Sequence, residues 1–353
     1  LASVLCWGRN QTGHVTRTNL IALGWNDRWA AKQLASERHG VPARVVRHDS
    51  VKVLVAGDEF VQHVTFSRST PLAVGDWVLI DNETVTALLD RETILVRDTG
   101  EFGTQVIGAN IDLVFVMFGA DRPLKQRKLM RFVAFAGDIG ATPIVIISKT
   151  DLVEDPGTLV AMVEPWIPGV TIVMTSVENG SGIDEVFDTL NGRTGTFIGE
   201  SGAGKSSLVN ALMDEEVAWI GEVRETDAKG RHTTTARELH LLPGGGSVID
   251  NPGVRSLGLH ADGEGVESLF SDIEQWSLEC RFRDCSHVSE PGCRVRAAVE
   301  TGEITDDRWS AYLHFVDEQN SAATRVADRD RQSAARKEAA AAQRARDQRD
   351  GIV

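Results

Sequence analysis

The chain has 353 residues, a net charge of −14 and 42% hydrophobic residues, a length that holds roughly two or three domains. No run of roughly eighteen apolar residues occurs, which argues against a membrane helix. The acidic balance argues against nucleic-acid binding by bulk attraction, but leaves room for a local basic patch.

The opening LASVLCWGRNQTGH has neither a basic start nor an apolar core, so no secretory signal is expected. The four cysteines are Cys6, Cys280, Cys285 and Cys293. One alone and three clustered make a poor disulfide framework. A reduced cytoplasmic protein with a metal site fits them better.

Residues 1–40, with GWNDRW, form an N-terminal extension to which the sequence assigns no role. Residues 41–98 alternate short apolar runs with turn signals: ARVVRHD, VKVLVAG, FVQHVTFS, VGDWVLID, ETVTALLD. Short strands at this spacing predict a small β-barrel, of which an OB-fold is one kind. Strand count alone fits a plain small β-domain equally well.

From residue 110 the rhythm changes, and residues 99–256 read as one α/β domain. IDLVFVMFGA is a continuous apolar run, the mark of a strand buried on both faces. KLMRFVAFAGDIG reads as a helix, TPIVIISKTD as a second buried strand, and TLVAMVEPWI as a helix. VTIVMTS and GIDEVFDTL repeat the unit. Such alternation predicts a parallel sheet with helices on both sides, whose ligands bind at the carboxyl ends of the strands.

Two strand ends carry chemistry. After TPIVII come Ser148, Lys149, Thr150 and Asp151. A carboxylate there can accept from guanine N1–H and the 2-amino group, which adenine does not offer. Lys149 can lie against the base and the phosphate loop. Alone, the pair would read as solvated surface charge. Thr175, Ser176 and Val177 end the next strand and can offer backbone N–H groups to guanine O6.

Next comes FIGESGAGKSSLVNAL. Gly199, then Glu200, Ser201, Gly202 and Ala203, then Gly204, Lys205 and Ser206 fit G-x-x-x-x-G-K-[ST], followed by Ser207. Thr196–Ile198 can form the strand before it, and SSLVNALM has helical spacing. Backbone N–H groups and a helix N-terminus cradle phosphates there. Lys205 can reach the β- and γ-phosphates, and the Ser206 hydroxyl can ligate Mg²⁺.

GRHTTT, Gly230 to Thr235, is polar and Gly-led, as a mobile switch would be. Asp250 to Gly253, DNPG, follows the apolar SVI. D-x-x-G puts its Asp near Mg²⁺ and its Gly near the γ-phosphate. Ser206, Thr235 and Asp250 are the expected Mg²⁺ ligands. The base-reading elements thus precede the phosphate-reading ones, which describes a GTPase in permuted order. Ras-like proteins place a water-orienting Gln after this Gly. Here Val254 follows Gly253, so another group must orient the water. His232 in GRHTTT is the candidate catalytic residue.

Cys280-x₄-Cys285-x-His287-x₅-Cys293 brings three thiols and an imidazole within a short loop. That set predicts a closed tetrahedral structural zinc site. Arg281, Arg283 and Arg294 interleave with it and can present cations to RNA. Residues 257–353 read as a mainly helical zinc-binding region. Its end carries eight Lys/Arg against five Asp/Glu from Ala322 to Asp350, a helix that is either RNA-facing or solvated.

GESGAGKSSLVNAL, GRHTTT, SVIDNPGVR and CRFRDCSHVSEPGCRVRAAV together resemble the RsgA (YjeQ) family of circularly permuted GTPases of bacterial small-subunit maturation. The resemblance covers residues 41 to about 318. It implies an OB-fold, then a permuted G domain, then a zinc-binding domain. It implies GTP hydrolysis stimulated by the small ribosomal subunit late in its assembly, with that subunit, its rRNA, GTP and GDP as partners. A cytoplasmic monomer without membrane attachment is expected. By the same resemblance Ser148, Lys149 and Asp151 read guanine, Gly199 to Ser207 bind phosphate, and Cys280, Cys285, His287 and Cys293 hold zinc. The family usually carries Asn where Ser148 stands, and the shorter hydroxyl should bridge less. Two other readings stay open: an RNA-binding scaffold that only holds nucleotide, and a GTPase of another ribonucleoprotein. Lys205, Ser206 and Asp250 favour an enzyme over a scaffold.

Overall fold

The computed structural model describes residues 19–49, 51–67, 70–98, 104–213, 237–243, 245–250, 264–317 and Arg331. It divides into two units, Leu1–Leu259 and His260–Val353. Among the described residues no helix is long and apolar enough to cross a membrane.

The first unit opens with α1 (Asp27–Ala35), whose free N-terminal amides are met by the Asn26 side chain accepting from Arg28 N–H. Five strands follow: β1 (Val41–Asp49), β2 (Lys52–Gly57), β3 (Phe60–Val64), β4 (Trp77–Asp81) and β5 (Thr84–Leu88). Each of the five apolar runs in the sequence carries one of them. β1 lies antiparallel between β2 and β4; β3 extends the sheet beyond β2 and β5 beyond β4. The Thr65 N–H donates to Glu83 O, 2.8 Å, and Val85 N–H to Thr65 O, 2.9 Å. The two outer strands therefore meet, and the barrel closes. Alternate residues fill it: Ala43 and Val45, Val53 and Val55, Val78 and Ile80, as the two-residue period of a strand requires.

The outer face of this barrel is not left to solvent. Trp29 of α1 is buried and lies 6.0 Å from the Trp77 ring, with Trp25 edge-on to Trp77 at 4.8 Å. Lys32 Nζ sits 4.8 Å from the Trp29 centroid, and Arg28 and Lys32 both pair with Glu92, at 2.6 and 3.1 Å. GWNDRW is thus part of the fold. Trp29→Ala is expected to destabilise the chain by about 3–5 kcal/mol, the usual cost of deleting a buried Trp side chain. A urea midpoint equal to wild type would refute that packing role.

β6 (Ile94–Asp98) and β7 (Thr104–Ala109) form a separate antiparallel pair, which crosses the boundary drawn at 98/99 from the sequence. The α/β layer then runs β8 (Leu113–Gly119), α2 (Gln126–Asp138), β9 (Thr142–Ser148), α3 (Pro156–Val163), β10 (Thr171–Thr175), α4 (Ile183–Leu190), β11 (Thr194–Gly199) and α5 (Lys205–Met213). β12 (Glu238–Leu241) and β13 (Ser247–Asp250) complete it. The strands lie in the order β10-β9-β8-β11-β13-β12. All neighbours are parallel except β12 against β13. β8 is buried at every residue, because it is central and covered on both faces. Phe115 of β8 and Phe197 of β11 stack at 4.8 Å, in a core with Leu208 and Leu212 from one face of α5.

Barrel and α/β layer share one eleven-stranded sheet, joined where Arg47 of β1 pairs Glu238 of β12. The joint follows a register shift between Val45 and Arg47, the local bend a bulge supplies. Arg44 fills this joint, fully buried. It donates to the carbonyls of Leu23, Gly75 and Asn110 and to Thr194 Oγ1, 2.8 Å. Burial pulls its pKa down to about 10, so it stays charged at neutral pH. Extension, barrel and α/β strands therefore converge on one cation held by neutral acceptors.

In the second unit, α6 (Glu264–Leu269), α7 (Ser271–Ser277) and α8 (Arg294–Thr301) precede a helix over 306–317. Phe270 packs edge-on to Tyr312 and Phe315. Arg308 grips Asp272 through two bonds, 2.6 and 2.7 Å, and also donates to Leu269 O.

Candidate nucleotide site and metal centre

The parallel strands all end at the same edge, so their C-terminal residues gather there. β11 runs into the glycine-rich loop. Gly199 has φ 140°, and a Cβ on it would stand 2.1 Å from Met117 O of β8; only glycine lets the loop leave the sheet there. Gly202 and Gly204 also have positive φ. α5 then begins at Lys205, so its first amides face the loop. A loop wound this way can cradle an anion. Lys205 Nζ rests on the Gly199 and Glu200 carbonyls, 3.1 and 2.6 Å.

Ser148 ends β9 beside the loop, and its buried hydroxyl lies 3.1 Å from Phe118 O and 2.7 Å from Ala203 O. The short side chain does reach both carbonyls, sharing one proton between them. Lys149 adopts a left-handed backbone, φ 60°, which turns the chain so that Thr150–Leu152 form a short 3₁₀ turn. The Ser176 hydroxyl donates to an Asp151 carboxylate oxygen, and the Thr150 hydroxyl to Thr175 O, 3.2 Å. The ends of β9 and β10 are thereby tied together. The Ser176 N–H donates to Ser181 O, 2.9 Å, and is engaged within its own loop. Val177 stands exposed beside it. Asp250 ends β13 and is exposed. His232, Thr235 and Gly253 lie outside the described residues.

Several charged residues at this edge carry no motif and escaped the sequence reading. Asp121 follows the end of β8 and pairs with Lys149 Nζ, 2.8 Å, and with Arg122 through two 3.0 Å bonds. Those bonds, Arg122 first and Lys149 next, hold its carboxyl well below the usual range. Arg122 in turn donates to Ser201 O, 3.1 Å. Lys128 of α2 pairs with Glu200 of the loop, 3.0 Å. The available signal was ADRP at the end of IDLVFVMFGA, a strand end matching SKTD in position.

In the second unit the ligand atoms of Cys280, Cys285, His287 and Cys293 all lie within 4.8 Å of one another. Cys280 follows α7, and Cys293 caps α8, its sulfur accepting from Arg296 N–H at 3.4 Å. Arg294 N–H points at Cys280 Sγ, also 3.4 Å. Helix N-terminal amides favour thiolates. His287 takes a left-handed backbone, φ 61°, which brings its Nδ1 to 3.6 Å from Cys280 Sγ and 3.4 Å from Cys293 Sγ. Four donors around one point can hold a metal ion.

The sequence matches the model of the RsgA GTPase family over residues 88–260. Among curated proteins, the small ribosomal subunit biogenesis GTPase RsgA of Streptomyces coelicolor is 38% identical over 323 residues, covering 87% of this chain and 88% of the relative. RsgA 2 of Vibrio parahaemolyticus is 35% identical, covering 86% and 87%. Among solved structures, YjeQ from Thermotoga maritima aligns with a TM-score of 0.61 at 28% identity, covering 79% of this chain and 98% of that one. YloQ, described as a circularly permuted GTPase, shares the fold with a TM-score of 0.62 at 24% identity, covering 81% and 96%. With that identity across most of both sequences, the chain belongs to the RsgA GTPase family.

Proposed function

We propose that the chain binds GTP with Mg²⁺ at this sheet edge and hydrolyses it during late maturation of the small ribosomal subunit, which stimulates turnover. The observation that carries the nucleotide reading is the gathering of SKTD, Thr175–Val177 and the glycine-rich loop at one edge. The ribosomal assignment is supported by relatives named small ribosomal subunit biogenesis GTPase.

In this reading Asp151 accepts from the guanine N1–H and amino group, and Lys149 covers the base. Lys205 meets the β- and γ-phosphates. Ser206, Asp250 and Thr235 hold Mg²⁺, and Gly253 approaches the γ-phosphate. The barrel is an OB-fold; its β1-β2-β3-β5-β4 closure supports that. The Cys₃His group holds one structural Zn²⁺, since three thiolates and an imidazole suit that ion. Thiols kept reduced fit the cytoplasm. Arg281, Arg283 and Arg294 beside the metal offer cations to rRNA. The chain works as a monomer.

With no Gln after Gly253, the free enzyme is slow, and on the small subunit His232 orients the attacking water. The test is steady-state GTP turnover with and without purified small subunits. Wild type is expected to be strongly stimulated. His232→Ala should bind GTP yet lose ~10²-fold or more of the stimulated rate, the usual scale for such a group. A wild type already fast alone, or a normally stimulated mutant, would overturn the mechanism.

A further inference from the structure

We propose that Glu290 is a positioning residue for the metal centre: its carboxylate holds the 286–290 turn that presents His287 to the ion. The proposal rests on the metal reading above. Glu290 stands in sequence between His287 and Cys293 and is not one of the four ligands. Its Oε1 accepts from the Ser286 N–H, 3.0 Å, and from the Ser286 hydroxyl. Its Oε2 accepts from the Val288 and Ser289 N–H groups, both 3.1 Å. One carboxylate thus gathers three backbone donors from residues 286–289, and amides so converged suit a fixed negative charge.

Those donors flank His287 on both sides. His287 has φ 61°, a left-handed backbone that a non-glycine residue keeps only where its surroundings impose it. Glu290 supplies that constraint. The His287 N–H is in turn bonded to the Cys285 sulfur, so two ligands depend on this one turn. Other contacts serve other parts of the loop. Trp309 lies edge-on to the His287 ring, 6.4 Å between centroids, and Arg281 N–H donates to Gly292 O, 3.2 Å. The first orients a ring and the second closes the base, whereas Glu290 bonds the backbone on either side of His287. The Ser286 hydroxyl first, and the amides with it, hold the Glu290 pKa down to about 2. The carboxylate therefore keeps its charge at any pH where the thiols take up metal.

Outer groups that orient metal ligands change affinity by about 10–100-fold. A carboxylate that merely steadied the second unit would lower the melting temperature of metal-free and metal-bound protein alike, and leave zinc affinity unchanged. The experiment is zinc affinity of the full chain at neutral pH, by competition with a chromophoric chelator. Cobalt(II) absorption of the same proteins reads the ligand set. Glu290→Ala is expected to bind zinc about tenfold or more weakly, while its cobalt-saturated spectrum keeps the tetrahedral thiolate bands of wild type. Glu290→Gln, with one oxygen in place of two, should fall between. Glu300→Ala removes a carboxylate that pairs with Arg296 on α8 and should match wild type. Should Glu290→Ala fail to fold, Glu290→Gln is read in its place and must be weaker than wild type. Unchanged zinc affinity in the Glu290 variants, or an equal loss in Glu300→Ala, overturns the proposal. So does loss of the cobalt bands, which would make Glu290 a ligand. A wild type with no affinity for zinc sinks the metal reading and the proposal with it.

Discussion

Asp151→Asn is expected to turn the site from guanine to xanthine, at a loss of about 1.5–3 kcal/mol in GDP binding, the worth of a hydrogen bond to a charged group. That is roughly a 10- to 150-fold weaker Kd. The carboxylate offers only acceptors, and guanine presents two donors to it. An amide puts a donor where one acceptor stood. Xanthine carries a carbonyl in place of the 2-amino group, so the amide matches it and the carboxylate does not. The Ser176 hydroxyl, bonded to one oxygen of Asp151, restrains the plane of that carboxylate. Equilibrium binding of GDP, XDP and ADP to wild type and variant checks this. Wild type should reject ADP, and the variant should prefer XDP. Equal binding of GDP and ADP by wild type would remove the guanine reading.

The parts of this site that were legible in the sequence are those whose residue types are forced by local geometry. The glycine-rich loop announces itself because backbone N–H groups can turn inward only where φ is positive, as at Gly202 and Gly204. β8 and β9 show unbroken apolar runs because they are covered on both faces, and the barrel strands show as short apolar runs between turn residues. β12 was not legible: four residues, ELHL, carry too few repeats to show a period. Arg44 was not legible for a different reason. In ARVVRHD it stands at an outward position of the alternation, which normally means solvent. Here α1 and the α/β strands cover that face, a fact of long-range packing alone. The pairing of Lys128 with Glu200 was silent for the same cause, since the two are 72 residues apart and Lys128 alone reads as a solvated charge. His232 stays an inference from sequence, beyond the described residues.

Removing the metal from the Cys₃His group is expected to unfold the ligand loop of the second unit, and Cys285→Ser to do so in part. Four ligands about 2.0–2.3 Å from a tetrahedral ion must lie within ~4 Å of one another, and the spread of 4.8 Å among these atoms is close to that. The backbone has been bent to achieve it, with His287 held in a left-handed conformation. Apart from the Glu290 carboxylate, which accepts from the Ser286 N–H and hydroxyl and from the Val288 and Ser289 N–H groups, the loop is lightly held: Phe282 and Val288 are exposed, and Arg294 pairs with Glu279 in solvent at 3.4 Å. Cys293 is the N-cap of α8, so an ion bound there would fix both the loop and the first turn of that helix. Binding to a site that the unfolded chain lacks is folding free energy, about 10–16 kcal/mol for zinc-finger peptides. Arg308 with Asp272 and the Phe270 cluster remain without the metal, but they join α7 to the 306–317 helix and do not touch the four ligands. Metal analysis of protein purified without chelators should find one zinc per chain. Stripping it should lower the helical circular dichroism and open residues 280–293 to proteolysis. Zinc-free protein that resists protease in this loop as well as the metal-bound form would show that packing, and not the ion, holds it.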